Sequence, residues 1–392
     1  MDHTSPPVRI HIDQVSCINQ TGDPDTLLIF RVPPGETVHE LTNGECYLRV
    51  GDESRKLGFA QRQELHYDRG ISQYDGQPVP GATIEDLDGD LLRSYRASAG
   101  ASGTFTRLFR ARGLLTHDDK VTIAGYLLFS PNPSDRFPQA QVRVIRYRTS
   151  ERGTGSRLNI DPESDERVEG PIPLVIAEAR KFIDAWQPKR RALGTEGKFT
   201  DSPLVPPDAW LEGLVNAVVH RSYSLAGDHV RVEIFPNRIE IESPGRFPGL
   251  ADPSHPLEIS RYARNPRIAR VCTDLSLTQE IGEGIKRMFE EMRHRGLTDP
   301  IYVQGQGSVR LTLSGLSRIP MEVEERLPRG SIATLNSLRA TGRALGTGDL
   351  VELLGISRPT LIRQLNALRD EGLATWSGKS SKDPRAMWSA ND

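Results

Sequence analysis

Cysteine is scarce in this chain, and long apolar runs are missing. The 392 residues include only Cys17, Cys46 and Cys272, so neither a disulfide framework nor the paired spacing of a zinc site is present. No stretch approaches the roughly twenty apolar residues of a membrane span. The start, MDHTSPPVRI, lacks a basic region followed by an apolar run. We therefore expect a cytoplasmic protein with no membrane partner.

A strong charge of either sign is also missing. The chain has 50 Lys and Arg residues against 52 Asp and Glu residues, which gives a formal net charge of −2. A chain this close to neutral does not coat nucleic acid along its whole length, so we expect any such contact to be local. The length allows two or three domains, each with its own core.

Residues 331–392 predict a winged helix-turn-helix. Apolar residues recur at helical spacing on both sides of Gly355, which suits a helix end in the left-handed conformation. Ser357 is then a good N-cap for a second helix that runs to Glu371. Two short strands after Gly372 flank a basic loop, as the wing of this fold does.

The second helix and the loop carry side chains that suit DNA. The apolar residues of the helix are predicted to face inward, namely Leu361, Ile362, Leu365 and Leu368. Polar side chains that can read bases or contact phosphates then face outward, namely Arg358, Thr360, Arg363 and Gln364. Phosphate contacts are expected from the wing residues Lys379, Lys382 and Arg385. We expect a homodimer on double-stranded DNA; the alternative is a helical protein-interaction module.

The chain ahead of this module divides into further regions. Residues 1–104 are predicted to be β-rich, with an acidic helix near Ile84 to Tyr95 and a linker of small residues at the end. Residues 105–318 alternate helices with strands, and residues 319–330 form a charged hinge.

A polar pair in the middle region is the sharpest candidate for chemistry. Glu212 and Asn216 lie one turn apart on a helix predicted from Asp208 to His220, so both side chains share one face. A carboxylate there can orient a water, and an amide oxygen can hold Mg²⁺ beside phosphate oxygens. Downstream lie two glycine turns, the second of which opens a helix whose N–H groups suit an anion, Ser243-Pro244-Gly245 and Gly282-Glu283-Gly284.

Several segments resemble a known family. These segments are LEGLVNAVVHRSYS (211–224), IEIESPGRFPG (239–249), RNPRIARV (264–271) and QEIGEGIKRMFEEMRHRGL (279–297). They resemble the GHKL-type ATPase module of transcriptional regulators that carry a Schlafen-like Alba domain, and residues 47–70 and 124–144 resemble the same family. The resemblance implies an α+β multidomain protein: a partial Schlafen/Alba-like domain, a GHKL-like α/β sandwich and a winged helix.

The resemblance also implies roles for single residues. Glu212 matches the glutamate that positions the attacking water, and Asn216 matches the Mg²⁺ ligand. Gly245 falls in the first glycine box, with Gly282 and Gly284 in the second, beside the phosphates of ATP. His220 matches a motif residue near bound phosphate, or else it caps the helix C-terminus, where a partly charged imidazole is favoured.

Two departures from the family argue against hydrolysis. Glu242-Ser243-Pro244 replaces the segment with the aspartate that reads adenine in active GHKL enzymes, and Glu283 puts a negative charge between the second-box glycines. We therefore favour a DNA-binding transcriptional regulator with an ATP-binding domain. Two alternatives stay open: an active Mg²⁺-dependent ATPase positioned on nucleic acid, in which Glu212 is catalytic, and a non-catalytic dimerisation scaffold.

Overall fold

A mixed α/β architecture with several units runs through the chain. The computed structural model describes residues 3–33, 35, 37–50, 53–100, 103–193, 199–247, 253–258, 262–278, 283–305, 307–341, 343–378 and 386–391. A six-stranded mixed sheet occupies the middle, and a mainly helical module ends the chain.

Hairpins dominate the N-terminal part. Its elements are β1 (Thr4–Ser5), β2 (His11–Ile18), β3 (Pro24–Arg31), β4 (Glu40–Leu41), β5 (Tyr47–Val50), β6 (Glu53–Lys56) and α1 (Phe59–Asp68). The strands pair antiparallel as β1 with β4, β2 with β3 and β5 with β6. A small core of Val38, Cys46 and Leu65 lies beside α1, whereas apolar side chains of β3 such as Leu27 and Phe30 are exposed.

Three short helices follow: α2 (Gly89–Ser98), α3 (Phe105–Ala111) and α4 (Ile123–Phe129). The helix expected from Ile84 to Tyr95 is wrong in its extent. A single 3₁₀ turn precedes Leu87, and α2 begins only after Asp88, whose carboxylate accepts hydrogen bonds from two N–H groups of its first turn. Tyr95 of α2 is fully buried in the main core.

The middle of the chain forms the six-stranded sheet and its helices. The elements are β7 (Val142–Tyr147), β8 (Ile160–Val168), α5 (Ile172–Trp186), β9 (Lys189–Leu193), β10 (Phe199–Pro203), α6 (Pro207–Val219), β11 (Val230–Phe235), β12 (Arg238–Pro244), α7 (Pro266–Asp274), α8 (Gly284–His294), β13 (Ile301–Gln304) and β14 (Ser308–Ser314). The strand order is β13-β14-β12-β11-β7-β8, with β7 and β11 parallel and the other pairs antiparallel. β9 and β10 form a separate hairpin.

Helices cover one face of this sheet. α6 packs against β12 between α5 and α8, and its side chains Trp210, Leu214 and Val218 are buried. Each such side chain contributes about 1.5–3 kcal/mol by leaving water. This apolar face fixes α6 against the sheet, and the opposite edge of the helix carries polar side chains.

Charged side chains cover the other face of the sheet. Glu233 of β11 accepts hydrogen bonds from Tyr147 (2.9 Å) and Arg152 (3.0 and 2.6 Å). Arg152 also pairs with Glu240 of β12. Both glutamates are buried beneath these partners, so ion pairs rather than a second layer of helices shield this face.

The C-terminal module is a three-helix unit with a small sheet. Its elements are α9 (Met321–Arg326), α10 (Ser331–Thr341), β15 (Leu345–Gly346), α11 (Thr347–Leu354), α12 (Arg358–Asp370), β16 (Ala374–Ser377) and β17 (Met387–Ala390), with strand order β15-β17-β16. Gly355 is left-handed at φ 63°, and the Ser357 side chain caps α12, as predicted. Ile319 and Leu327 join the same core, so the charged segment packs onto this module.

Two side chains of α12 face opposite to the prediction. Gln364, expected to contact DNA, is buried, where its Oε1 accepts a hydrogen bond from Thr334 (2.7 Å) and its Nε2 donates to the carbonyl of Arg329 (2.8 Å). Ile362, expected to be inside, is 40% exposed. The outward placement of Gln364 is therefore wrong, because Thr334 of α10 and the carbonyl of Arg329 just before that helix compensate its burial.

Candidate functional sites

Glu212 and Asn216 meet on the polar edge of α6. Asn216 Nδ2 donates a hydrogen bond to Glu212 Oε1 (3.0 Å), so the shared face predicted from their spacing is confirmed. No described group donates to the other amide atom, Asn216 Oδ1. An amide oxygen without a protein donor suits Mg²⁺, which takes oxygen ligands and keeps several from water or phosphate.

The start of α8 closes over Glu212. Arg287 Nη2 donates to Glu212 Oε2 (2.6 Å), and a Cβ added at Gly284 would overlap the same carboxylate. Glu212 is only 10% exposed at its side chain. Both carboxylate oxygens are therefore engaged inside the protein. Gly282, the other glycine of this turn, lies outside the described residues.

A single cavity is lined by Glu212, Asn216, His220 and Gly284. Its volume is about 130 Å³, below the roughly 300–1,000 Å³ of sites for small molecules. A complete nucleotide would therefore require the cavity to widen. Gly245 does not line it; with φ at +118° this residue sits against Ser222 and faces a neighbouring cavity.

His220 ends α6 at the cavity wall. Burial and the nearby Arg264 lower the pKa of its imidazole to about 4. Its Nδ1 is buried without a hydrogen-bond partner in the described part of the chain. A neutral ring argues against the alternative in which a charged imidazole caps the helix, and a bound ligand would satisfy the unpartnered nitrogen.

Glu242 points away from this cavity. Burial by itself would raise the pKa of Glu242, but hydrogen bonds from Ser308 (2.6 Å) and Arg310 (2.8 Å) outweigh burial and lower it. Ser243, the next residue, does line the cavity and donates its hydroxyl to the carbonyl of Ala217 (2.7 Å). Glu242 is thus not placed to contact the adenine of a nucleotide in this cavity.

Some cavity residues were not anticipated from the sequence. Arg287, which pairs with Glu212, and the cavity residues Lys286 and Tyr302 are the main ones. The signal for Arg287 was its position three residues after Gly284, which brings its side chain back over the first turn of α8. Among the described residues, no group of three or more His, Cys, Asp or Glu side chains is arranged to hold a metal ion.

The outer face of α12 is the second candidate site. Arg358 and Arg363 are exposed, and neither bonds to a described residue. Thr360 is half-buried and its hydroxyl is 2.8 Å from that of Ser357. A shallow groove beside Arg358, Arg363 and Asn366 extends to Pro328. The wing residues Lys379, Lys382 and Arg385 lie outside the described residues.

Two family models match parts of the chain. Residues 227–313 match the family described as "Putative ATP-dependent DNA helicase recG C-terminal", and residues 335–375 match the family described as "Bacterial regulatory protein, arsR family". The chain therefore contains a recG C-terminal-like ATPase domain and an ArsR-family helix-turn-helix. The first match includes Gly245 and Gly284 but begins after α6, which carries Glu212 and Asn216.

Comparison with known structures concerns the fold alone. The crystal structure of the DIP2311 protein from Corynebacterium diphtheriae superimposes with a TM-score of 0.51 at 20% identity, covering 98% of this chain and 77% of that one. No curated protein matches the chain. The predicted helix-turn-helix and ATPase-like domain are thus confirmed at family level. The Schlafen/Alba-like and GHKL-specific folds, and the predicted domain boundaries, stay predictions.

The described helices include none that is both long and apolar enough to cross a membrane.

Proposed function

We propose that this protein is a DNA-binding transcriptional regulator whose middle domain binds a nucleotide, with ATP and Mg²⁺ as the expected ligands. The convergence of Glu212, Asn216, His220 and Gly284 on one cavity is the observation that carries this proposal. These residues come from two separate segments of the chain, α6 and the start of α8.

The cavity residues suit a magnesium nucleotide. Asn216 Oδ1 would serve as an oxygen ligand for Mg²⁺, which would neutralise charge on the phosphates. α8 begins at Gly284, so its first turn, whose N–H groups have no intrahelical partner, lines the same cavity, and Lys286 adds a cation. The neutral His220 ring offers a further hydrogen bond.

We propose that the arrangement seen here binds without hydrolysis. A general base must reach the proton that it abstracts, and the Glu212 carboxylate is held by Asn216 and Arg287 instead. The small cavity volume agrees with a closed state. Release of Arg287 would both widen the cavity and free Glu212.

The DNA contacts are proposed for the exposed part of α12. Arg358 and Arg363 would contact bases or phosphates, with Thr360 at the helix start and Lys379, Lys382 and Arg385 of the wing on the backbone. Gln364 instead fixes α12 against α10. A homodimer would place two such helices on paired half-sites.

α8 provides a route between the two sites. Its first turn contacts Glu212, and just beyond its last turn Gly296 lies so close to α10 that an added Cβ would be 2.6 Å from Asn336 Oδ1. A shift of α8 on nucleotide binding would therefore move the surface on which the winged helix rests. We propose this route in addition to the charged hinge predicted at residues 319–330.

Calorimetric titration of the full chain with Mg²⁺ and ATP tests the proposal. We expect saturable binding that Asn216→Ala weakens at least about tenfold, the loss of roughly one charge-assisted contact. No binding by the parent protein would favour the dimerisation scaffold. Steady phosphate release that Glu212→Ala abolishes would favour the active ATPase.

A further inference from the structure

A second, larger cavity lies between the N-terminal hairpins and the middle domain. Its volume is about 630 Å³, within the range of small-molecule sites. One wall is formed by β5, β6 and α1, and the other by Gly245, Arg246, Arg264 and the β13–β14 turn. Arg246 lines both this cavity and the one that contains Glu212.

The lining is strongly basic. Five cationic side chains face two acidic ones, the cations being Arg49, Arg55, Lys56, Arg246 and Arg264. Gly245, Gly305 and Gly307 line the cavity as well and add no side chain to it, although the N–H groups of Gly245 and Gly305 are already bonded to the carbonyls of Gly307 and Ser308. Such a lining attracts anions and repels cations.

The two acidic side chains already have partners in the protein. Glu64 accepts a hydrogen bond from the Ser222 hydroxyl (2.7 Å), and Asp68 pairs with Arg264. Burial raises the pKa of Asp68 even though Arg264 and Arg246 oppose that shift. Arg55 and Lys56 on the opposite wall pair with Glu53 and Glu45, which lie outside the lining. Their side chains are about half exposed, so a ligand can compete for these surface ion pairs.

Arg264 differs from the other cationic side chains of the lining because it is deeply buried. Its side chain is only 3% exposed, and one of its guanidinium nitrogens donates to the carbonyl of Arg246 (2.6 Å). Its Nε is buried and has no hydrogen-bond partner among the described residues. A buried guanidinium with an unused donor is costly unless a ligand or water completes it.

From these observations we infer that the second cavity is a binding site for a small phosphorylated anion, of the diphosphate class. Arg264 and Arg246 would hold the anion at the base, and Arg55 and Lys56 would close over it from the β5–β6 hairpin. Arg264 lies too deep for the backbone phosphates of a duplex, which favours a small molecule over nucleic acid. This inference is independent of nucleotide binding beside Glu212.

Titration with inorganic pyrophosphate at fixed ionic strength tests the inference. We expect the full chain to bind one equivalent, and Arg264→Gln to abolish that binding. Because Arg264→Gln leaves Asp68 buried without its partner and endangers folding, the deciding variant is Arg55→Ala/Lys56→Ala on the exposed wall. It should fold normally and bind pyrophosphate about tenfold more weakly, the loss of one or two charge-assisted contacts.

Matched variants distinguish this site from the cavity beside Glu212 and from a surface that binds nucleic acid. Arg180→Ala removes an exposed cation of α5 and should bind like the parent, and Asn216→Ala should also bind pyrophosphate like the parent, whether or not ATP binds. Equal affinity of the parent and the Arg55→Ala/Lys56→Ala variant would overturn the inference, as would loss of binding in Asn216→Ala. Displacement of pyrophosphate by single-stranded DNA at equal phosphate concentration would assign the surface to nucleic acid instead.

Discussion

The two candidate functional regions differ in how their polar side chains are held. In the cavity of the middle domain, Glu212 is bonded on both oxygens and shielded from water. On the outer face of α12, Arg358 and Arg363 are exposed and bond to none of the described residues. The polar groups of the first site are thus occupied by internal contacts, whereas those of the second site are exposed to solvent.

This difference predicts different binding behaviour. A ligand in the cavity must displace the ion pair between Glu212 and Arg287. Its affinity is therefore the difference between the contacts that it makes and the internal contacts that it breaks. DNA at α12 replaces only water and counterions, so its affinity should fall steeply with salt. Substitutions in the cavity should therefore change stability and nucleotide binding, whereas substitutions on α12 should change DNA affinity.

Arg287→Ala should have the largest effect. It leaves the mostly buried Glu212 carboxylate without its cation. Because Arg287 itself is about a third exposed, we expect a loss of about 2–3 kcal/mol in the free energy of unfolding, below the upper values for a fully buried pair. Chemical denaturation measures the loss. The same variant should gain phosphate release with Mg²⁺ and ATP, because Glu212 is freed.

The control for that variant lies on the same helix. Arg293 pairs with Asp299, and both side chains are more than a third exposed, so Arg293→Ala should cost less than about 1 kcal/mol. Equal losses for the two variants would show that the Arg287 pair is an ordinary surface interaction.

Gly284→Ala should act next most strongly. The added Cβ would displace the Glu212 carboxylate, and we expect a loss of about 2 kcal/mol in stability from overpacking together with loss of nucleotide binding. Gly348→Ala in α11 is the matched variant, since nothing lies within 4 Å of its added Cβ. Thermal melting with and without nucleotide compares the two variants. Equal melting temperatures for both would show that the position of the Glu212 carboxylate does not depend on a glycine at residue 284.

Arg363→Ala should weaken DNA binding about tenfold, or about 1.4 kcal/mol, without changing stability. Its neighbour Gln364 is the contrast, because Gln364→Ala breaks two buried hydrogen bonds. That variant should lower the melting temperature of the C-terminal module, and the sequence preference should stay unchanged. Fluorescence anisotropy with a panel of duplexes measures DNA affinity and sequence preference, and thermal melting measures the stability. Unchanged DNA affinity in Arg363→Ala would contradict the assignment of α12.

A smaller effect is expected from pH. His220 has a folded pKa of about 4 against an unfolded value of 6.5, so the unfolded state takes up a proton first and stability falls as pH drops from about 6.5 towards 4. His229, whose pKa is also lowered, adds a loss of the same sign. Between pH 7 and 5 the parent should lose about 1 kcal/mol more than His220→Gln, after allowance for the partial exposure of His220 as a whole residue. Parallel stability curves would contradict this.

Local signals allowed part of the structure to be predicted. The left-handed Gly355, the Ser357 cap and the shared face of Glu212 and Asn216 all depend on a few neighbouring residues, and each is found. The helix expected at Ile84–Tyr95 failed because Asp88 starts a new helix where periodicity alone continued the old one.

Long-range partners explain what could not be predicted. Gln364 is buried because Thr334 and the Arg329 carbonyl, which are far away in sequence, satisfy its amide. The pairing of Glu212 with Arg287 joins two helices of the fold. Likewise the bounds of β2, His11–Ile18, are set by its pairing with β3. Such contacts between residues far apart in the chain cannot be predicted from the local pattern of a single sequence.

DNA affinity with and without saturating Mg²⁺ and ATP, at one fixed salt concentration, tests the central claim most directly. If α8 connects the cavity to the winged helix, the nucleotide should change the affinity at least about fivefold, the lower end of typical coupling between sites. Asn216→Ala should remove that change and leave the affinity without nucleotide intact. An identical affinity with and without nucleotide, for a protein shown to bind both, would contradict the account.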